Sequence, residues 1–148
     1  MRSKIPLAQR RKARQLIMQA LYQWLMTKDD PLDICKQFHE DNPGKIEWEY
    51  FDAIFKDVPK QQEALDEHIS PFLDRAKGSL DPIERALLYL GTYELANRID
   101  VPYRVVINEC VELAKQYGAT DGHKYVNGIL DKLVPELRPI EFKSKKQH

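Results

Sequence analysis

Apolar residues recur along this chain at intervals of three and four. Ala13, Leu16, Ile17, Ala20, Leu21 and Trp24 mark one face of a first helix. Asp30-Pro31 starts a second, shorter helix through Ile34 and Phe38, and Asn42-Pro43-Gly44 is a turn. The spacing predicts a third helix from about Glu47 through Phe51, Ile54, Phe55, Val58 and Leu65 to Ile69, which Pro59 should kink or split. Ser70-Pro71 opens a short helical turn, and Lys77-Gly78-Ser79 reads as a boundary between two lobes.

The second half is more apolar. Asp81 is placed as an N-cap and Pro82 as the first helical residue, with Ile83, Leu87, Leu90 and Leu95 following as far as Asn97. Asp100-Val101-Pro102 opens the next helix. Its apolar residues, Val105, Val106, Ile107, Cys110, Val111, Leu113, Ala114 and Tyr117, cover much of the circumference and predict the central, buried helix. Gly118 is its expected C-cap. Thr120 or Asp121 caps a last helix through Val126, Ile129, Leu130, Leu133 and Val134, ending before Pro135 or Pro139. No alternating strand pattern competes, and no repeat of solenoid length is visible.

These elements define an all-α chain of 148 residues, long enough to bury a core as one domain. We divide it into an N-terminal helical sub-bundle with a basic arm (1–78), a C-terminal sub-bundle (79–142) and a flexible basic tail (143–148).

Charge changes the picture. The totals cancel, 23 basic against 23 acidic residues, which argues against a generic nucleic-acid binder. The distribution does not cancel. Arg2, Lys4, Arg10, Arg11, Lys12 and Arg14 precede every acid, Lys143, Lys145 and Lys146 crowd the end, and 29–67 is rich in Asp and Glu. No apolar run approaches the roughly 20 residues of a membrane span, and no secretory signal pattern follows the basic start. Cys35 and Cys110 lie in apolar helical patterns without C-x-x-C or Cys/His ligand spacing, so a reduced, cytoplasmic protein without a metal is the default.

Candidate chemistry is sparse. Cys110 with His123 is a formal nucleophile and base, but a thiol in an apolar helix face ordinarily just packs. His39, His68, His123 and His148 have no HExxH or paired-carboxylate context, and neither a phosphate-binding nor a dinucleotide-binding glycine motif occurs. No catalytic residue and no cofactor is assigned. Glu94, Asn108, Glu109 and Glu112 fall near the most apolar helices, where a satisfied polar link between helices is the favoured reading.

Two stretches stand out. Asp121 to Gly128 combines an acid, a cation, an aromatic residue and two glycines at a helix start. Gly128, inside the helix, costs about 1 kcal/mol against Ala. Either another helix approaches closely there, or the stretch is a nucleic-acid surface with Lys124 on phosphate and Tyr125 stacked on a base. The other stretch is QRRKARQLIMQALYQW, residues 9–24, with four bases in positions 10–14. A helix start is the positive end of the macrodipole and prefers acids. At about 100° per residue, Arg10 and Arg14 fall on or beside the direction of Ile17, Leu21 and Trp24, while Arg11 lies on the flank of Gln15 and Tyr22. Arginines facing an apolar core either overhang it or meet acids. An arginine-rich arm that orders around RNA phosphate is the preferred explanation, because an anion suits a helix N-terminus.

Three stretches carry a resemblance to a family. Arg10-Arg11-Lys12-Ala13-Arg14 with Gln19-Ala20-Leu21-Tyr22, Leu87 to Leu95 with Tyr93-Glu94-Leu95, and DVPYRVVINECVELAKQYGATDGHKYVNGILDK (Asp100 to Lys132) together resemble the NusB family of bacterial transcription antitermination factors. The resemblance implies about seven helices in two packed sub-bundles. It implies a non-enzymatic protein that binds boxA RNA of ribosomal RNA transcripts together with NusE, a small-subunit ribosomal protein, within the RNA polymerase antitermination complex. Carried over by position, Arg10, Arg11 and Arg14 match the arginine-rich RNA contact, to which Lys4 adds charge. Lys124 and Tyr125 match a second RNA-facing patch with Asp121 at its edge, and Glu84 and Tyr22 match positions near the partner and RNA surfaces. Lys12 stands where a third arginine is frequent, Tyr125 where Phe is common, and Gly122 where Ser is more usual. Two rival readings are a helical targeting domain like those fused to ribosomal RNA cytosine methyltransferases, and a purely protein-binding module whose basic cluster meets an acidic partner.

Overall fold

The computed structural model describes residues 6–73 and 80–146, and helices are the only regular structure over them. Lys4 and the expected lobe boundary at Lys77-Gly78-Ser79 lie outside the described residues. Helix α1 spans Leu7–Thr27 and buries Ala13, Arg14, Leu16, Ile17, Met18, Ala20 and Leu21. Helix α2, Pro31–Asp41, starts where the Asp30 carboxylate accepts the Leu32 N–H and Pro31 fills the first helical position. The predicted long third helix is split at Pro59: α3 covers Trp48–Asp57, Pro59–Gln61 form a 3-10 turn, and α4 covers Gln62–Ile69. Proline cannot donate the next helical hydrogen bond, so the chain tightens and turns there. A second 3-10 turn, Ser70–Phe72, follows.

Helix α5, Pro82–Asn97, begins as expected, with Asp81 accepting from the Ile83 and Glu84 N–H groups. Helices α6 (Tyr103–Tyr117), α7 (Gly122–Leu137) and α8 (Pro139–Lys146) complete the chain. The structure corrects three expectations here. The central helix is α5 and not α6: every residue of α5 from Ala86 to Leu95 is buried, whereas Val105 and Tyr117 of α6 are exposed. Asp121 does not cap α7: it sits in the left-handed region at φ 64° and makes no side-chain cap bond. Of the two expected ends of α7, the later holds: the helix passes Pro135 and stops at Leu137, before Pro139; Pro135 occupies an exposed position in the last turn, where the missing N–H leaves a carbonyl facing solvent. The expected flexible tail from residue 143 is helical as far as Lys146.

Helix α5 is the hub, packed against α1, α4, α6 and α7, while α1 also carries α2 and α3. A Cβ added at Gly91 would stand 2.7 Å from Leu130 and 3.3 Å from Cys110 Sγ, so this glycine lets α6 and α7 close onto α5. The far end of α5 is held by Arg138, whose side chain is 1% exposed. Its guanidinium donates to the carbonyls of Leu95 at 2.7 Å, Glu94 at 3.1 Å and Arg98 at 2.9 Å; the last two also accept the backbone N–H groups of Arg98 and Val101, so Arg138 adds a second donor to each of them. It also donates to Glu141 at 2.6 Å, and the second oxygen of Glu141 accepts the Tyr103 N–H at 3.1 Å. One arginine and one glutamate thus join the end of α5 to the start of α6.

Candidate nucleic-acid interface

Helix α1 opens without a side-chain cap and without an acid in its first turn. The acids come instead from elsewhere in the chain. Arg10 donates to both carboxylate oxygens of Glu47 at 2.8 Å, and its guanidinium lies 4.2 Å from the centre of the Tyr50 ring. The Glu47 bond holds Arg10 above its ordinary pKa, more firmly charged. Arg11 donates to both oxygens of Glu109 at 3.1 and 3.2 Å while its own side chain stays 59% exposed.

Arg14 is different in kind. It is 1% exposed and donates through Nε to both oxygens of Glu94 at 3.1 Å, and through Nη2 to Oε2 at 2.9 Å. The Tyr50 hydroxyl donates to the same carboxylate. Burial by itself lowers the arginine pKa, and the Glu94 charge and hydrogen bonds more than reverse it, so Arg14 stays cationic inside the core. Burial, together with the Glu94 charge, also pushes the Tyr50 phenol well above its ordinary value. Arg14 is therefore not a surface RNA contact. It faces the apolar direction of α1 and is a closed ion pair across 80 residues of sequence.

The flank of α1 forms one wall of an open groove of about 860 Å³ against α6. Arg11, Lys12 and Gln15 line it from α1, and Glu109, Glu112 and Gln116 from α6, with Leu7 and Leu113 as apolar lining. Lys12 is exposed. Tyr22 lies farther along α1 and is 38% exposed. Glu109 also stands 3.9 Å from Arg14 Nη1, so this carboxylate serves both arginines.

Gln116 is the last lining residue of the groove along the chain, and the second candidate patch follows it in sequence. Gly118 closes α6 in an extended conformation, and α7 starts four residues later. Asp121 and Lys124 are 68% and 72% exposed and form a loose pair at 3.4 Å. Tyr125 is half-buried and packs on the core. Around Gly128 a Cβ would meet nothing within 4 Å, so no helix approaches it closely; the glycine faces open space. Glu84, expected near the partner surface, is only 3% exposed. Its carboxylate lies over Gly122, where any Cβ would collide with it, so Glu84 belongs to the α5–α7 contact rather than to an outer face.

The remaining chemistry stays structural. Cys110 is fully buried, its thiol is raised by desolvation and points at the Leu87 carbonyl at 3.9 Å, so it is no nucleophile. Among the described residues no helix is long and apolar enough to cross a membrane. Missed by the pattern are Glu47 and Tyr50 as partners of the arginines, Arg138 as a clasp, and a convergence of Cys35, His39 and Asp52. The signal for that convergence was present, since Cys35 and His39 are four apart on α2 and share a face.

Fold and surface define an all-α protein with a basic helix start anchored by internal carboxylates and a second cation-bearing helix start in α7. The chain belongs to the NusB family: the family model matches residues 11–135. It is 53% identical over 141 residues to the transcription antitermination protein NusB of Pseudomonas fluorescens (strain Pf-5), covering 95% of this chain and 85% of that protein. It is 44% identical to the NusB protein of Ralstonia nicotianae, covering 95% and 92%. Among solved structures it is similar to T. maritima NusB, with a TM-score of 0.81, 29% identity and coverage of 95% and 99%. It is also similar to a chain in a crystal structure of the antitermination factors NusB and NusE in complex with dsRNA, with a TM-score of 0.77, 25% identity and coverage of 86% and 97%.

Proposed function

We propose that this chain is a non-enzymatic antitermination factor that recognises boxA RNA of ribosomal RNA transcripts together with NusE, as part of the RNA polymerase antitermination complex in the cytoplasm. Family membership and the similarity to a NusB of a NusE and dsRNA complex support the reading. The observation that carries it on this chain is the groove wall: Arg11 and Lys12 expose cations along α1, and a further cation, Lys124, is exposed at the start of α7.

In this proposal Arg11, Lys12 and Lys124 contact phosphate, Gln15 hydrogen-bonds, and the exposed edge of Tyr125 supports an unstacked base. The open backbone at Gly128 lets the sugar-phosphate chain approach α7. Asp121 orients Lys124 and repels misplaced phosphate. Arg10 and Arg14 act as positioning residues that lock α1 so that Arg11 points outward. Tyr22, four residues before the exposed Met26 on α1, faces the protein partner.

The test is RNA binding by anisotropy, with boxA-type and scrambled RNA, in the presence and absence of NusE. Arg11→Ala with Lys12→Ala should weaken binding roughly tenfold and flatten the salt dependence by about one to two phosphate equivalents. Wild-type protein that binds neither RNA, with or without NusE, would sink the proposal and favour the protein-binding module.

A further inference from the structure

Away from the basic face, α2 and α3 bring three side chains with metal-binding atoms to one point. Cys35 and His39 project from one face of α2, and Asp52 faces them from α3. Cys35 Sγ lies 3.3 Å from Asp52 Oδ1, and His39 Nε2 lies 2.6 Å from the same oxygen. All three donor atoms fall within 4.8 Å of one another.

A nucleophilic triad does not fit. The thiol points to the carboxylate instead of the imidazole, and burial together with the Asp52 hydrogen bond pushes it up to about 11. A hydrogen-bonded knot between two helices does fit, but it needs no sulfur and no half-open mouth.

We propose that Cys35, His39 and Asp52 form a binding site for a zinc-class divalent cation. The donor set is one sulfur, one imidazole nitrogen and one carboxylate oxygen, which suits zinc and poorly suits calcium or magnesium. Tetrahedral zinc places such atoms roughly 3.3–3.7 Å apart, so the two measured contacts open by about 1 Å or less. The supports are rigid. The His39 ring stacks on Trp48 with centroids 3.9 Å apart, and Trp48 packs edge-on against Phe51. Exposure is graded: Cys35 is 5% exposed, while the side chains of His39 and Asp52 are 36% and 34% exposed. The fourth coordination position therefore opens to solvent, where water fills it. On binding, the thiol proton goes to solvent, neutral His39 offers its Nε2 lone pair, and nothing is oxidised or reduced. Lys56 is close enough to act on the Cys35 thiol and opposes a cation there.

The experiment uses the full chain stripped by chelator and titrated with Zn²⁺ or Co²⁺. One equivalent should bind. Cobalt should give the intense visible bands of a four-coordinate site together with a thiolate-to-cobalt charge-transfer band, and Trp48 fluorescence should change. Zn²⁺ should raise the Tm. Cys35→Ser, His39→Gln and Asp52→Asn should each weaken binding at least about tenfold, and Cys35→Ser alone should abolish the charge-transfer band. Lys56→Gln should tighten binding. Circular-dichroism melts in chelator check that each variant is folded. Wild-type protein that binds no more tightly than a folded Cys35→Ser, His39→Gln double variant, or that lacks the charge-transfer band, overturns the proposal.

Discussion

The first turns of α1 and of α7 both carry cations and meet opposite fates. Both place cations at a helix start, where the dipole disfavours them. In α1 each arginine is met by a carboxylate from a distant segment: Glu47, Glu109 and Glu94 lie 37, 98 and 80 residues away. In α7, Lys124 has a loose partner three residues away and remains in solvent. Two of the three α1 arginines are thereby largely turned into struts, and only Arg11 keeps most of its side chain exposed. A run of basic residues thus reports a positive strip of sequence; it becomes a positive surface only where the fold supplies no acids. The α7 patch, less conspicuous in composition, is the more open of the two.

The sharpest way to break this contrast is Arg14→Ala. It leaves Glu94 buried with only Tyr50 and should cost about 3–5 kcal/mol of stability in urea denaturation. Lys124→Ala should leave the same curve unchanged. A fully stable Arg14→Ala protein would mean that the strut is not one. Replacing the whole cluster, with Arg14→Met, Glu94→Leu and Tyr50→Phe together, should recover part of the loss because no charge is left unpaired.

Alkaline titration probes the same cluster. The folded Tyr50 phenol has its pKa raised above the unfolded value of about 10. The native state therefore retains a proton that the unfolded state loses, so this contribution is intact below pH ~10 and declines as the pH rises above it. Tyr50→Phe should flatten that decline in melts recorded across the alkaline range.

Effects on RNA should run the other way round. Glu109→Gln removes the charge that restrains Arg11 and should tighten RNA binding several-fold, most clearly at low salt. Weaker binding would show that Arg11 needs its partner in order to point outward. Gly128→Ala should raise stability by about 1 kcal/mol, since nothing lies where the methyl would go. If the same change weakens RNA binding by even a few-fold, the open backbone of α7 is a contact; unchanged affinity moves the path of the RNA off that turn.

Periodicity was enough for the helices, the break at Pro59 and the start of α5, because these depend on local rules of capping and proline. It misplaced the centre of the molecule. The apolar residues spread round α6 pointed to it as the centre, yet Val105 and Tyr117 of that spread are exposed, while Thr92 and Glu94 of α5 are fully enclosed. Arg14 lay on a core-facing direction, and Glu94 was suspected of burial. Each was half of one ion pair, but nothing local joins positions 80 residues apart. The groove wall at Arg11 and the exposed Lys124 were legible for the same reason as the helices, since solvent-facing positions follow from helix phase. Glu84 was misassigned to a surface because helix phase cannot show that Gly122 leaves room above α7 for a carboxylate. The metal-binding triad needed a third donor from α3, which no spacing along α2 could supply.

Synthesis proceeds from the N-terminus, so α5 leaves the ribosome with its last carbonyls open. Arg14 has already emerged by then and can engage Glu94 at once. Arg138 arrives 43 residues after Leu95. The nascent C-terminal lobe thus waits for its final latch while the N-terminal lobe can already assemble around α1. Chains stalled just short of Arg138 should expose the end of α5 to protease, and the basic face should form before the molecule beneath it is locked.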